Sequence, residues 1–261
     1  MEPGIFVSRA LCFSMISYNC CVWNVRGLNG RARHNVVRDL VTQERVTLVC
    51  LQETKLSVIC NSLANEILGS MFDYDYLPSA NVAGGVLFGW QREQWVVSQV
   101  DKRRFFLSAK VANTATPQDC WWLTVVYGPQ ADQEKVEFLD ELRQFMTTAD
   151  GPWLLCGDFN MIYRAEDKSN DRLDRRCMRR FRAFIDAVEL EELNLVGRRF
   201  TWSSERDQPT LERLDRVFAT AGWLQAHQNH VLRALSTDCS RSLSTAADGK
   251  RGALGKKEVS V

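Results

Sequence analysis

Short apolar runs of strand length punctuate the chain at residues 18–23, 46–51, 85–90, 95–100, 105–111, 121–127 and 153–156. Most are rich in Val, Trp, Tyr or Phe, the composition that suits a pleated, half-buried surface. Between them the apolar period lengthens. Val36, Val37, Leu40 and Val41 draw one stripe, Phe138, Leu142, Phe145 and Met146 a second, and Phe181, Phe184, Ile185 and Val188 a third; each predicts an amphipathic helix. Further on, residues 199–203 and 211–218 read as two strands of a hairpin, joined by a turn through residues 205–209.

The order of these elements is strand–helix–strand, then a run of strands, then strand–helix–strand again. An α/β fold follows, with two sheets packed face to face as a β-sandwich and helices on the outside. At 261 residues one domain can hold the whole pattern, since single cores stop growing near about 250–300 residues. The expected organisation is an extension over residues 1–17, a domain over 18–240, and a disordered tail over 241–261. That tail is Ser-, Ala-, Gly- and Lys-containing and shows no apolar periodicity, so it buries too little surface to offset its ordering entropy.

Composition narrows the options only slightly. Hydrophobic residues at 45% and charged residues at 25% are ordinary globular usage, and a net charge of +1 means that any nucleic-acid contact must come from a local basic face. Nine cysteines, an odd number without a CxxC repeat and partly inside apolar runs (Cys21, Cys50, Cys156), read as small buried hydrophobes of a reducing compartment. No window reaches the ~18 uninterrupted apolar residues of a membrane span, so no membrane partner is expected. The apolar start has Glu2 first and Arg9 within it, unlike a secretory leader.

Four short motifs fall where strands should end: Trp23-Asn24-Val25-Arg26-Gly27-Leu28-Asn29, Gln52-Glu53-Thr54-Lys55, Tyr127-Gly128-Pro129 and Gly157-Asp158-Phe159-Asn160. Hydrolysis of a phosphodiester needs charge neutralisation, a base for water and donors for the phosphoryl oxygens. Hard carboxylate and amide oxygens of this kind suit Mg²⁺ or Mn²⁺. In order and spacing the motifs resemble the endonuclease/exonuclease/phosphatase family over roughly residues 18–240, and the first is most similar to the amino-terminal endonuclease of plant LINE-type retrotransposons.

That resemblance implies a DNase I-like fold, DNA as partner with no protein partner, and a nuclear, intracellular setting. It implies Glu53 and Asn24 as metal ligands, Asp158 as the group that orients or deprotonates water, Asn160 as a phosphate holder and Tyr127 as a donor to the phosphate region. Thr201, Asp215 and Arg26 are implied on the substrate side. The basic sets Arg26, Arg31, Arg33 and Arg38, and Arg175, Arg176, Arg179, Arg180 and Arg182, read either as phosphate contacts at the cleft rim or as solvated helix faces.

One departure matters. Family members close with a Ser-Asp-His triplet, whereas this chain has Ser236-Thr237-Asp238-Cys239-Ser240-Arg241. The fold is therefore expected to lack its last strands, and the activity, a DNA-nicking endonuclease by ancestry, to be impaired. His227 and His230 precede the expected position, and His34 sits among polar neighbours of the first helix, where exposure is expected. The alternatives are an inactive nucleic-acid-binding remnant and a phosphatase of the same superfamily.

Overall fold

The structure is a computed structural model that describes residues 10–15, 18–79, 84–204 and 206–235. Strand β1 (Leu11–Ser14) turns back into β2 (Asn19–Asn24), and helix α1 (Arg31–Gln43) carries the chain to β3 (Val46–Gln52), parallel to β2. After α2 (Asn61–Leu68), β4 (Phe72–Leu77) and β5 (Val86–Gln91) extend this sheet with antiparallel pairs. The second sheet opens with the meander β6 (Trp95–Lys102), β7 (Phe106–Asn113) and β8 (Thr116–Tyr127). Helix α3 (Asp132–Thr148) then crosses to β9 (Trp153–Asp158), parallel to β8.

The remainder is made of short pieces: α4 (Arg175–Ala187), β10 (Leu190–Glu192), β11 (Leu195–Val196), the pair β12 (Trp202–Ser203) and β13 (Leu211–Glu212), then β14 (Asp215–Thr220), α5 (Ala221–Ala226) and β15 (Val231–Ala234). The sheets have the orders β11-β15-β1-β2-β3-β5-β4 and β10-β14-β9-β8-β7-β6. Each contains a parallel pair joined directly through one helix, β2–α1–β3 in the first and β8–α3–β9 in the second, and the first sheet also pairs β11 with β15 in parallel.

Alternation along β2 and β3 explains the layering, because side chains two apart share a face. Cys20, Val22, Leu48 and Cys50 point between the sheets, where they meet Leu123, Val125, Leu154 and Cys156. Cys21, Trp23, Val49 and Leu51 point outward beneath Val37, Leu40 and Val41 of α1 and Ile67 of α2. On the far side Phe138, Leu142, Phe145, Phe181 and Phe184 cover the second sheet. Helices thus seal both outer faces, as parallel strands require, and the DNase I-like sandwich expected from the sequence is observed. Cys21, Cys50 and Cys156 are fully buried free thiols, and burial pushes all three pKa values up.

Three local expectations change. Residues 211–218 form two strands, because the Leu214 and Asp215 amides donate to the Thr201 hydroxyl, at 3.0 and 3.1 Å, and the Arg213 amide donates to the Asp167 carbonyl. Leu11–Ser14, inside the stretch expected to precede the domain, forms β1 and pairs with both β2 and β15. His34 is buried: its Nε2 donates to the Leu28 carbonyl at 2.6 Å, with Glu66 3.2 Å from Nδ1. The Ser236–Arg241 departure and the 241–261 tail lie outside the described residues.

Candidate active site

The carboxyl ends of β2, β3, β8 and β9 point to one end of the sandwich, and the four motifs meet there. Asn24 ends β2, opposite Gln52 of β3, so Glu53 emerges beside it. Tyr127 ends β8 opposite Asp158 at the end of β9, and Asp158 in turn lies opposite Asp215 at the start of β14. Clefts outside the carboxyl ends of parallel strands are where open α/β folds place ligands, since the chain departs to either side there.

A direct hydrogen bond between strand ends ties the sheets together at this point: Asn24 Nδ2 donates to Asp158 Oδ2 at 2.8 Å. The other Asp158 oxygen accepts the Asn160 amide at 2.9 Å, and the Asn24 side-chain oxygen accepts the Arg26 amide at 3.1 Å. Asp158 is almost fully buried. Burial pushes its carboxyl pKa up, the Asn160 and Asn24 donors oppose the shift, and the negative charge of Glu53 adds to it. Burial raises Asp215 as well, with Asp158 as the next cause, while Thr201 hydrogen-bonds its carboxyl and Arg26 stabilises the charge. Two neighbouring carboxyls in low dielectric cannot both ionise cheaply.

Tyr127 hydrogen-bonds Glu53, and burial together with the Glu53 and Asp158 charges pushes its phenol up. It therefore stays a neutral donor. Thr201 is buried behind Asp215, where its hydroxyl receives the Leu214 and Asp215 amides. The Asn160 amide nitrogen donates to the Gly128 carbonyl at 2.6 Å, which leaves one of its two N–H groups for another acceptor.

The Tyr-Gly-Pro and Gly-Asp-Phe-Asn motifs prove to be one unit. Besides the Asn160 bond, the Gly128 amide donates to the Asp158 carbonyl at 2.7 Å. A Cβ on Gly128 would lie 2.3 Å from the Phe159 carbonyl oxygen, and one on Gly157, at φ +133°, 2.2 Å from that of Val126. Both clashes are with backbone, which cannot swing aside. Gly128→Ala is expected to separate the motifs and cost about 1–3 kcal/mol, measured as a lower midpoint in urea unfolding with unchanged slope.

Six non-glycine residues have left-handed backbone among the described residues, and four of them are at this end: Arg26, Glu53, Lys55 and Asn160. Such conformations cost on the order of 1–3 kcal/mol each and cluster where geometry is imposed by function. The strain is held in place by the Thr54 and Lys55 amides, which donate to the Gly85 and Gly84 carbonyls.

Arg33 donates to the Val25 carbonyl at 2.6 Å, Arg38 to that of Asn65 and Arg182 to that of Tyr163 at 2.7 Å. These three arginines brace backbone. Arg31 is exposed with Glu66 3.2 Å away, and Arg175, Arg176, Arg179 and Arg180 are exposed along α4. His227 stacks on Trp223 near Tyr18, which precedes β2, and Trp121 in the middle of β8. Given ~3.3 Å per strand residue, that is about 20 Å from Asp158, and none of the described histidines lies in the cleft.

Among the described residues no group of three or more His, Cys, Asp or Glu side chains is arranged to hold a metal ion. A magnesium-type ion does not need one: it keeps several waters and takes one or two carboxylates. Glu53 with the Asn24 amide oxygen is such a set, all hard oxygen, in a cleft where burial first and neighbouring negative charge second raise two carboxyls. The donor chemistry therefore fits.

Two sheets, flanking helices and an acid–amide cleft at the strand ends define a DNase I-like protein. The chain belongs to the endonuclease/exonuclease/phosphatase family, whose sequence profile matches residues 21–238. Among solved structures it is similar to an AP endonuclease from Archaeoglobus fulgidus (18% identity, TM-score 0.57, covering 76% of this chain and 84% of that one). It is also similar to the endonuclease domain of TRAS1, a telomere-specific non-LTR retrotransposon (12%, 0.58, 74% and 81%). A third is the 3′ phosphatase NExo from Neisseria bound to a product DNA hairpin (18%, 0.61, 77% and 86%). At these identities the likeness is one of fold. No curated protein sequence matches the chain. Among the described residues no helix is long and apolar enough to cross a membrane.

Proposed function

We propose that the chain is a divalent-metal-dependent DNA-nicking endonuclease of LINE-type ancestry with depressed turnover. The observation that carries this reading is the convergence of Asn24, Glu53, Tyr127, Asp158, Asn160 and Asp215 at one end of the sandwich, joined by the Asn24–Asp158 hydrogen bond across the two sheets. The likeness to a retrotransposon endonuclease domain and to a protein bound to a DNA hairpin supports DNA as the substrate.

Glu53 and Asn24 hold the metal ion, which when bound neutralises phosphate charge. Asp158, fixed by Asn24 and the Asn160 amide, orients water and accepts its proton; the raised carboxyl suits that task near neutral pH. Tyr127 and the remaining Asn160 N–H donate to phosphoryl oxygens, and Asp215, backed by Thr201, limits where the negative charge settles. Arg26 faces the substrate from the first loop, and nuclear action follows from the ancestry.

Depressed turnover follows from the sequence, which has Ser236-Thr237-Asp238-Cys239-Ser240-Arg241 where the family closes with Ser-Asp-His. A missing positioned acid–base or electrostatic group costs about 10²–10⁴-fold in rate. The same observation favours a second reading, a remnant that binds metal and DNA without hydrolysis. Relaxation of supercoiled plasmid in Mg²⁺ by the parent, by Glu53→Ala and without metal decides between them. Slow nicking by the parent alone is expected. No nicking by a folded parent that still retards DNA selects the remnant, and release of inorganic phosphate from a phosphomonoester instead of nicks overturns both.

A further inference from the structure

Lys55 closes the Gln-Glu-Thr-Lys motif and has no part in the chemistry above. Its ammonium lies 3.0 Å from Glu53 Oε1, with about a third of the side chain exposed, and among the described residues it is the only cation paired with that carboxylate. Its own backbone and two neighbours hold it there. The Lys55 backbone is left-handed at φ +57°, its amide donates to the Gly84 carbonyl at 3.0 Å, and its stem lies so close to Gly27 that a Cβ on Gly27 would come within 3.2 Å of Lys55 Cδ. The pairing is thus built by two loops, unlike a chance contact between two long surface side chains.

We propose that Lys55 is an exchangeable counter-ion: it neutralises Glu53 in the metal-free protein, gives way when a divalent cation takes the Glu53 oxygen, and then pairs with a phosphate of bound DNA. The inference rests on the reading of Glu53 as a metal ligand. Electrostatics favour the exchange, because an ammonium and a dication on one carboxylate repel each other across a few ångströms. The freed ammonium sits at the mouth of the cleft, about a third exposed, and has three donors for phosphate oxygens. Lys55 thereby keeps the site from holding unbalanced negative charge in either state.

Two titrations on the intact chain test this. Mn²⁺ alone, followed by the electron paramagnetic resonance of the free ion, is expected to bind Lys55→Met roughly fivefold more tightly than the parent. Lys55→Arg, which keeps the charge, should stay near the parent value. A fluorescent DNA duplex, titrated by anisotropy in Ca²⁺ at several salt concentrations, should show a log–log salt slope smaller by about one in Lys55→Met. Lys55→Gln serves equally should the Met variant fail to fold. Unchanged Mn²⁺ affinity, or an unchanged salt slope, in a folded variant overturns the exchange while leaving Glu53 a ligand. Parent-like Mn²⁺ binding by Glu53→Gln removes the ligand assignment and this inference with it.

Discussion

Asp158→Asn is expected to lose a further ~10²–10⁴-fold of whatever nicking rate the parent shows and at the same time to raise the melting temperature of the metal-free protein near neutral pH. The first effect follows from removing the proton acceptor while keeping its shape. The Asn oxygen still accepts the Asn160 amide in place of Oδ1, while its NH2 stands where Oδ2 accepted Asn24 Nδ2, so Asn24 has to turn its side-chain oxygen towards it for the cleft to keep its shape. The second effect follows from burial. Asp158 and Asp215 both have pKa values raised by desolvation, so the folded state binds protons that the unfolded chain, with aspartates near about 3.9, has released.

A group raised in this way contributes stability that is fully present below the unfolded value and is lost as pH climbs through the folded value. In chelator, the parent's melting temperature should therefore decline from about pH 4 towards neutrality, and the decline should be shallower in Asp158→Asn, which removes one titrating group and the charge that raises the other. Differential scanning calorimetry at several pH values checks this. A parallel decline in both proteins would mean that the carboxyls ionise without penalty and that the buried site is not the source.

Arg216→Met is the second large expectation, and its effect is on stability. The Arg216 side chain is fully buried and ion-pairs with Asp167 and Glu192, while also donating to the Arg213 carbonyl at 3.1 Å. Asp167 in addition accepts the Tyr163 amide at 2.9 Å and the Arg164 amide at 2.6 Å. Replacing the arginine leaves carboxylates inside the protein without their main partner, which costs about 3–5 kcal/mol. That is a large part of the stability of an ordinary domain. The loop from Tyr163 to Lys168 should loosen first, visible as lost hydrogen-exchange protection there. A variant as stable as the parent would show that the network contributes nothing net.

The sequence made the scaffold legible where one physical signal dominated. β2, β3, β5, β8 and β9 are apolar runs because each is covered on both faces, and α1, α3 and α4 are clear because their apolar stripes lie on the sheets. β4 alternates Phe72, Tyr74 and Tyr76 with Asp73 and Asp75, a period-2 signal that was present but lay between stronger runs. The two-residue strands β11, β12 and β13 have no period to detect; tertiary hydrogen bonds alone define them.

Within the cleft, the motif words mark Asn24, Glu53, Tyr127, Asp158 and Asn160 because acids, amides and a tyrosine at strand ends are chemically conspicuous. The lock between Gly128 and Asp158–Asn160 left no such mark, since it depends on two loops meeting. Arg216 was equally hidden: its partners Glu192 and Asp167 are 24 and 49 residues away, and nothing local announces that an arginine between Asp215 and Val217 will be buried. His34 has the polar neighbours of a surface residue, and only the Leu28 carbonyl beneath it, brought there by the first loop, accounts for its burial.

The hydrogen bond between Asn24 and Asp158 joins residues 134 positions apart. Contacts of such long range form late, because the intervening chain must first give up its freedom. Each sheet can assemble its own parallel crossover before the other exists, but the cleft comes into being only on docking of the two. Divalent ions bound at Glu53 and Asn24 should therefore slow unfolding more than they speed refolding, which makes the ion a clasp closed on a finished molecule.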